Sequence, residues 1–486
     1  MITVCLRTNV EWLFPELCDV IRLFYGDIPI SATEGETVIT HIHEDMGGIW
    51  HECAQSGGIS ETCEVNAIHG GLEEKRVFKR AAKTAVFKLL RQMNGFCPPW
   101  GSLTGIRPTR LMYEAMEKGM SADEAANWLK TKFFVAEEKV SLLEEIIEMQ
   151  RGVITPPADS YDLYIHIPFC MTRCAYCSFA SGEIGDGRLT WPYVAALKKE
   201  MRDSAALMDE MGLKLRALYV GGGTPTALTC AQLDEVLACA LDNFGTPEEL
   251  TVEAGRPDTI DVEKLRMLKR RNVSRISVNP QTFSDDTLRL IGRAHSAQAT
   301  VDAFKLARDE GFDHINMDII AALPGEGITE FERTLDKVIE LDPESVTVHS
   351  LAIKRSSKLH EQLTVAGDSH NQATAPDAEN MIRVARRRLH EGGWYPYYLY
   401  RQKYMAGNLE NVGYAKKGHA CLYNIGNMEE TARVLAVGAG SITKWVFNRE
   451  LRIERAPNLR NIEQYIERVD EMNARKRAVI LEKKGQ

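Results

Sequence analysis

The sequence contains no uninterrupted apolar stretch approaching the roughly 20 residues that a membrane-spanning helix needs, so no span is expected. Its N-terminus, MITVCLRTNVEWLF, lacks the basic segment and apolar run of a signal peptide, and a cytoplasmic protein is expected. Positive charge is not in excess. With 59 Lys and Arg against 68 Asp and Glu the net charge is -9, which gives no electrostatic footprint for nucleic acid. Low-complexity segments are missing too. The cysteines number 11, an odd count without export signals, and read as thiols, some of them metal ligands, rather than as a disulfide framework. Most pointed is the lack of a fourth cysteine near Cys170, Cys174 and Cys177 in IHIPFCMTRCAYCSF, residues 165–179.

A chain of 486 residues, 44% hydrophobic, is long enough for two or three domains, each with its own core. Three regions are expected. Residues 1–155 mix strand-like alternation (ETVITHIHED, GGIWHECAQ) with a helical pattern in EEKRVFKRAAKTAVFKLLRQMNGF, forming an N-terminal α+β accessory domain. TPPADSYD, from Thr155, reads as a linker, because prolines and small polar residues do not continue a helix. In residues 160–355 six short apolar runs, LYIHIPF, ALYVGGG, LTVEAG, RISVNP, HINMDII and SVTVHS, alternate with helical segments. Such alternation predicts parallel βαβ units with right-handed crossovers. Six units suit a partial (β/α)6 barrel, an α/β fold in which chemistry gathers at the C-terminal ends of the strands. The unusual residues fall there: the cysteine loop, Gly221-Gly222-Gly223-Thr224, Glu253, Gln281, Asp318 and His349. Residues 356–486 form a C-terminal α/β extension expected to cover substrate.

Three thiolates admit two readings. Zinc would need a remote fourth ligand such as His166 or Cys421. An iron–sulfur cluster also uses thiolate sulfur, and on three cysteines it leaves one iron open to an exogenous ligand. The GGGTP turn lets backbone approach a ligand closely, although a glycine triplet by itself is only a turn.

The C-x3-C-x2-C spacing with Tyr176 beside the last cysteine resembles the loop of the radical S-adenosylmethionine (SAM) superfamily. That resemblance implies a 4Fe–4S cluster on Cys170, Cys174 and Cys177, with SAM chelating the open iron and being cleaved by one electron to a deoxyadenosyl radical. In order, YIHIPFCMTRCAYCSF, GGGTPT, EAGRPD, RISVNPQTF, IGRAH and NMDIIAALPGE resemble the oxygen-independent coproporphyrinogen III oxidase (dehydrogenase) family, which also includes a haem chaperone. PPWGSLTGIRPTRL and PYYLYRQKYMAGNLENVGYA are similar to its HemZ-type branch. The likeness implies oxidative decarboxylation of two propionates of coproporphyrinogen III to vinyl groups in porphyrin and haem biosynthesis, with an unidentified reductant for the cluster.

Carried over by motif, the family pattern assigns Tyr164, Gly222, Thr224 and Glu253 to SAM, with Glu253 and the three cysteines as the catalytic set. Gln281, Arg293, Asp318 and Ala352 match further SAM contacts. Gly223 and Tyr176 match the contacts that in the oxidase serve a second SAM, and Ile442 is expected to close the pocket. Taken alone, Asp318 and Arg293 also suit an ordinary buried ion pair. Two departures stand out. Phe179 replaces a cysteine of the oxidase, as it does in the chaperone. The chaperone's haem-binding HN..YW pattern is replaced by YNIGNMEE, from Tyr423 to Glu430, which leaves His419 nearby as the substitute ligand. Haem chaperone and another radical SAM reaction on a tetrapyrrole are therefore the alternatives. Arg107, Lys354, Arg355 and Arg401 are candidates to hold substrate carboxylates. The basic run from Lys75 to Arg91 reads as a solvated helix face or a dock for an acidic electron donor.

Overall fold

A computed structural model describes residues 3–105, 107–177, 180–352, 375–402, 406–447 and 452–481. The chain forms two compact units, one of residues 1–144 with 401–404, the other of residues 145–400 with 405–486.

The first unit is a five-stranded sheet ordered β2-β1-β3-β4-β5, from Val4–Thr8 (β1), Ile30–Ser31 (β2), Thr37–Asp45 (β3), Ile49–Ser56 (β4) and Ile59–Asn66 (β5). The two alternating segments are β3 and β4, and the helical pattern is the helix Gly71–Asn94, which ends at Gly95 in the left-handed region (φ 69°). That helix and Phe14–Tyr25 cover one sheet face, burying Val4, Leu6, Ile21, Ile39, Ala82 and Val86. Period-2 strands and period-3.6 helices each offer one apolar face, and these faces meet.

The second unit is built on an 11-stranded sheet. The six apolar runs are its parallel strands Ser160–Ile167 (β6), Lys214–Gly222 (β9), Glu249–Val252 (β10), Arg275–Ser277 (β11), Ile315–Ala321 (β12) and Ser345–Ser350 (β13), adjacent in chain order. Between β6 and β9, the short strands Phe169–Cys170 (β7) and Gly182–Glu183 (β8) pair with each other. The C-terminal region does not stand apart from this sheet. Tyr395–Tyr400 (β14) and Asn411–Ala415 (β15) extend the edge at β13, while Val434–Val437 (β16), Ile442–Phe447 (β17) and Arg452–Pro457 (β18) extend the edge at β6. The two extensions lie at opposite ends of the strand order. Yet Tyr397, Tyr398 and Ala415 share one apolar cluster with Val434 and with Ile425 of the helix Leu422–Met428. The sheet therefore curls into a partial barrel, with that helix inside the curl.

The division between the units falls at Glu144, ahead of the segment read as a linker. Gln150 explains the offset: its amide donates to Tyr397 O (2.9 Å) and Glu429 Oε1 (3.0 Å), tying the chain to the second unit before Thr155.

Candidate active site

The C-terminal ends of the parallel strands gather the residues on which chemistry was expected. Cys170 ends β7, and the loop carrying Cys174 and Cys177 is framed by backbone hydrogen bonds from Gly182 to Pro168 O (2.9 Å) and from Ile184 to Cys170 O (2.8 Å). Within it Cys177 N donates to Cys174 O (3.1 Å), and Ala175 N reaches across to Ile291 O (2.9 Å). All three thiols are free and half-buried. Burial pushes the Cys170 thiol above its usual range. Hydrogen bonds with Thr224 and Ser181 oppose that, and the neighbouring Cys177 and Cys174 add to it.

A residue that sequence reading passed over holds this loop. Arg256, 3% exposed and just beyond β10, donates through Nη1 to Thr172 Oγ1 (2.7 Å) and Thr172 O (3.0 Å). Its other nitrogens grip Asp258 at 3.0 and 2.8 Å. Thr172 in turn donates to Gly292 O (3.3 Å), so the stretch between Cys170 and Cys174 is braced from two neighbouring loops. The arginine was visible in the EAGRPD motif, but nothing local says which chain segment its fork would reach.

The glycine turn after β9 packs directly on the cysteine loop. A Cβ on Gly223 would come within 3.0 Å of Phe169 O and the Cys170 sulfur, and Gly222, at φ 111°, would meet the His166 ring. Gly223 N donates to Ile167 O (2.8 Å), Thr224 N donates to Phe169 O (2.7 Å), and Thr224 Oγ1 lies 3.6 Å from the Cys170 sulfur. The glycines are thus required by the protein's own packing before any ligand arrives.

Two carboxylates face this end of the barrel. Glu253 accepts from the Tyr219 hydroxyl (2.7 Å). Burial pushes its pKa up to about 7, with the nearby Asp318 adding to the rise and Tyr219, the Gly222 amide and His349 opposing it. Asp318 goes the other way. Burial raises it, but His349, Asn316 and Thr347 together hold it below the usual range. Asn316 donates to it at 2.8 Å and His349 Nε2 stands 3.8 Å away. Gln281 is tied to the same strand, its N donating to Asp318 O (2.9 Å) from a left-handed backbone (φ 65°). Arg293 is half-buried against the cysteine loop. Burial would lower its pKa, but Tyr176 and Cys174, each hydrogen-bonded to it, hold it well above the ordinary arginine value. Its Nη1 donates to Asn279 O (3.0 Å), while its Nε is buried and has no partner among the described residues.

Tyr164 stacks on Tyr423 (centroids 5.9 Å apart) and its hydroxyl lies 3.1 Å from His166 Nδ1. Ala352 is half-buried just after β13, where Leu351 N donates to Ala321 O (3.1 Å). Ile442 opens β17 with 42% of its surface exposed, two residues beyond Gly440, whose missing side chain would meet Ala180. Phe179, Lys354 and Arg355 lie outside the described residues.

The expectations about remote ligands are corrected. Neither remote zinc ligand is available to the three cysteines. His166 has Nδ1 at the Tyr164 hydroxyl and Nε2 3.2 Å from Ala180 O. Cys421 is fully buried and bonded to Glu249 (3.1 Å). Glu249 also accepts from the backbone N–H groups of Leu422 (3.0 Å) and Tyr423 (3.2 Å), anchoring the inner helix by the start of β10. His419 packs on His314 (centroids 4.8 Å), next to the first residues of β11 and β12, at the opposite end of the barrel from the cysteines. Arg107 and Arg401 belong to the first unit, where Arg401 is buried, lies over Trp100 and donates to Leu103 O (2.7 Å).

A curled parallel sheet with a three-cysteine loop, a glycine turn and paired carboxylates at its C-terminal strand ends is the architecture of a radical SAM protein. The radical SAM superfamily profile matches residues 164–338. The oxygen-independent coproporphyrinogen-III oxidase-like protein HemZ of Bacillus subtilis is 37% identical over 477 residues, 95% of this chain and 92% of that protein. Heme chaperone HemW of the same organism is 33% identical over 237 residues, 48% of this chain and 61% of its own length. Among solved structures, coproporphyrinogen III oxidase HemN from Escherichia coli matches with a TM-score of 0.52 at 22% identity, covering 67% of this chain and 72% of that one, a likeness of fold. The chain belongs to the radical SAM coproporphyrinogen-III oxidase-like family, on its HemZ branch.

Membership implies a 4Fe–4S cluster and SAM, and the residues present fit both. Among the described residues no three His, Cys, Asp or Glu side chains converge closely enough to hold one ion. The three thiols nonetheless sense one another, and cluster cysteines bind separate irons, so they need not converge on a point. The Nε of Arg293, buried beside Cys174 and without a partner among the described residues, is a donor waiting for an anion such as a SAM carboxylate. No helix among the described residues is long and apolar enough to cross a membrane.

Proposed function

We propose that the chain is an oxygen-independent coproporphyrinogen III dehydrogenase. Each of two propionates would lose a hydrogen atom, carbon dioxide and one electron to become a vinyl group, giving protoporphyrinogen IX. The observation that carries this reading is similarity along nearly the whole chain, both units included, to an oxidase-like protein, against about half the chain for the chaperone. A second observation concerns Tyr423, which stands where the chaperone pattern has histidine. It is 6% exposed and stacked on Tyr219 (4.6 Å) and Tyr164, and burial raises its pKa well above that of a free phenol. A neutral, stacked phenol inside the barrel is a poor axial ligand for haem.

In this reading Cys170, Cys174 and Cys177 hold the cluster. Thr224, Gly222, Gly223 and Tyr164 line the SAM side of it, and Arg293 pairs with the SAM carboxylate. Glu253, Asp318 and Gln281 receive its polar groups, while Tyr176, Ala352 and Ile442 complete the pocket. When bound, cluster and SAM supply one-electron chemistry and an organic radical able to take a hydrogen atom from a propionate carbon. The chain's own part is to brace the cysteine loop through Arg256, to present donors and acceptors from rigid strand ends, and to keep the reacting carbon in line and dry. The electron that cleaves SAM would come from a separate one-electron reductant, and the electron each propionate loses would pass to a separate one-electron acceptor.

The test is anaerobic: reconstituted protein, dithionite, SAM and coproporphyrinogen III, with products followed by mass spectrometry. Stepwise loss of two carbon dioxide units, absent in Cys174→Ala, is expected. Deoxyadenosine without decarboxylation would redirect the radical chemistry to another substrate. Tight haem binding with neither product would replace the enzyme reading by the chaperone one.

A further inference from the structure

Most cations of the basic run of the helix Gly71–Asn94 are engaged inside their own unit. Lys79 (3.1 Å) and Lys83 both pair with Glu16, Lys88 donates to Thr62 O (2.9 Å), and Arg91 lies over Phe134 (4.6 Å). Arg80 differs. Its guanidinium lies over the rings of Phe133 (5.2 Å) and Trp128 (5.8 Å), which meet edge to face at 4.9 Å. Among the described residues no carboxylate stands in ion-pairing range of it, and its side-chain nitrogens donate no hydrogen bond. Ring faces satisfy charge but leave N–H donors unfilled.

Those donors open onto a pocket of about 360 Å³, solvent at its mouth included, between this helix and the helices Pro108–Glu117 and Ala122–Phe133. Leu111, Ala115, Met120 and Trp128 supply apolar wall. The two carboxylates at its edge are already engaged, Glu73 by Lys118 (3.3 Å) and Glu114 by Arg110 (3.5 Å). Arg76 and Lys118 line the pocket as well, so three cations against two carboxylates leave one net positive charge, which suits a singly rather than a doubly charged anion. The space suits a handful of heavy atoms rather than a helix or strand of a partner.

We propose that this pocket binds a small organic acid, its single carboxylate held by the forked guanidinium of Arg80 and its aliphatic part against Leu111, Met120 and Trp128. Planar carboxylate and planar guanidinium match bidentately, and an apolar wall beside the charge selects an acid with a short hydrocarbon tail. The inference does not rest on the reaction proposed above.

Calorimetric titration of the full-length protein with butyrate, butyramide and inorganic phosphate tests it. Butyrate is expected to bind saturably in the millimolar range, and the amide and phosphate at least tenfold more weakly. Arg80→Gln is expected to weaken butyrate at least tenfold, while Lys75→Gln, at an exposed position on the same helix, leaves it unchanged. Should Arg80→Gln fail to fold, Met120→Glu carries the test. It places a competing carboxylate at a partly exposed position of the pocket and is expected to abolish binding with the melting temperature retained. Equal binding of butyrate and butyramide, tighter binding of phosphate, or butyrate affinity unchanged in either variant would overturn the proposal.

Discussion

Glu253 shows how one side chain's environment sets a working pH. Burial holds its carboxyl protonated up to about pH 7, and it ionises above that. Because the folded value lies above the ordinary 4.5, ionisation is disfavoured by the fold, and stability from this group falls as pH rises between those values. In the role proposed for Glu253 toward SAM, its ionised form would be the better acceptor for hydroxyl donors. SAM affinity of the cluster-loaded protein, followed by equilibrium dialysis, is expected to rise a few-fold from pH 6 to pH 8, and Glu253→Gln to flatten that slope. At Arg256 geometry matters more than charge. Arg256→Lys keeps the charge but cannot grip Asp258 and Thr172 together, so iron retained after anaerobic reconstitution should drop several-fold while the far-ultraviolet spectrum is unchanged. Equal iron retention would show that the loop holds itself.

Among the elements, the glycine turn and the cysteine loop form one interlocked unit. Gly223→Ala would put a methyl group against Phe169 O and the Cys170 sulfur, where backbone leaves no room to give. Cluster reconstitution, read from visible absorbance, is expected to fall at least fivefold in this variant, more than in Gly105→Ala, where a methyl group meets open space and the backbone is not left-handed. The strand run from β6 to β13 was legible because fully buried parallel strands are short, apolar and separated by helices. The roles of β14–β18 were not, because pairing at a sheet edge depends on which distant strand is exposed there, and period-2 patterning carries no address. The inner helix Leu422–Met428 was hidden for a related reason. Its anchor, Glu249, lies more than 170 residues away in sequence.

At the scale of the whole molecule, the C-terminal residues close the structure they follow. The helix Val469–Leu481 places Lys476 against Glu200, both essentially unexposed, and Glu200 also receives the Gly438 amide (2.7 Å), Asn458 (2.7 Å) and the Tyr465 hydroxyl (2.5 Å). Gly438 lies against His166 O and Tyr193, so this network sets the turn between β16 and β17 beside the end of β6. Lys476→Met removes one partner of a buried pair and should cost about 3 kcal/mol of stability, measured by urea unfolding of the second unit's transition. A change under about 1 kcal/mol would mean that the three remaining donors satisfy Glu200 alone.

What the sequence determined by itself is what spacing and type can encode: the alternation that makes a parallel sheet, three thiols on one loop, glycines where only glycine fits, and motifs long enough to name a family. Tertiary structure alone decided what depends on long-range meeting: which arginine braces the cysteine loop, that His166 and Cys421 are already engaged, that Tyr423 is stacked inside the barrel, and that Arg80 keeps its donors free. The physical reason is common to all of these. Hydrogen-bond satisfaction and burial are properties of a side chain's neighbours in space, and those neighbours are chosen only when the sheet curls and its ends meet.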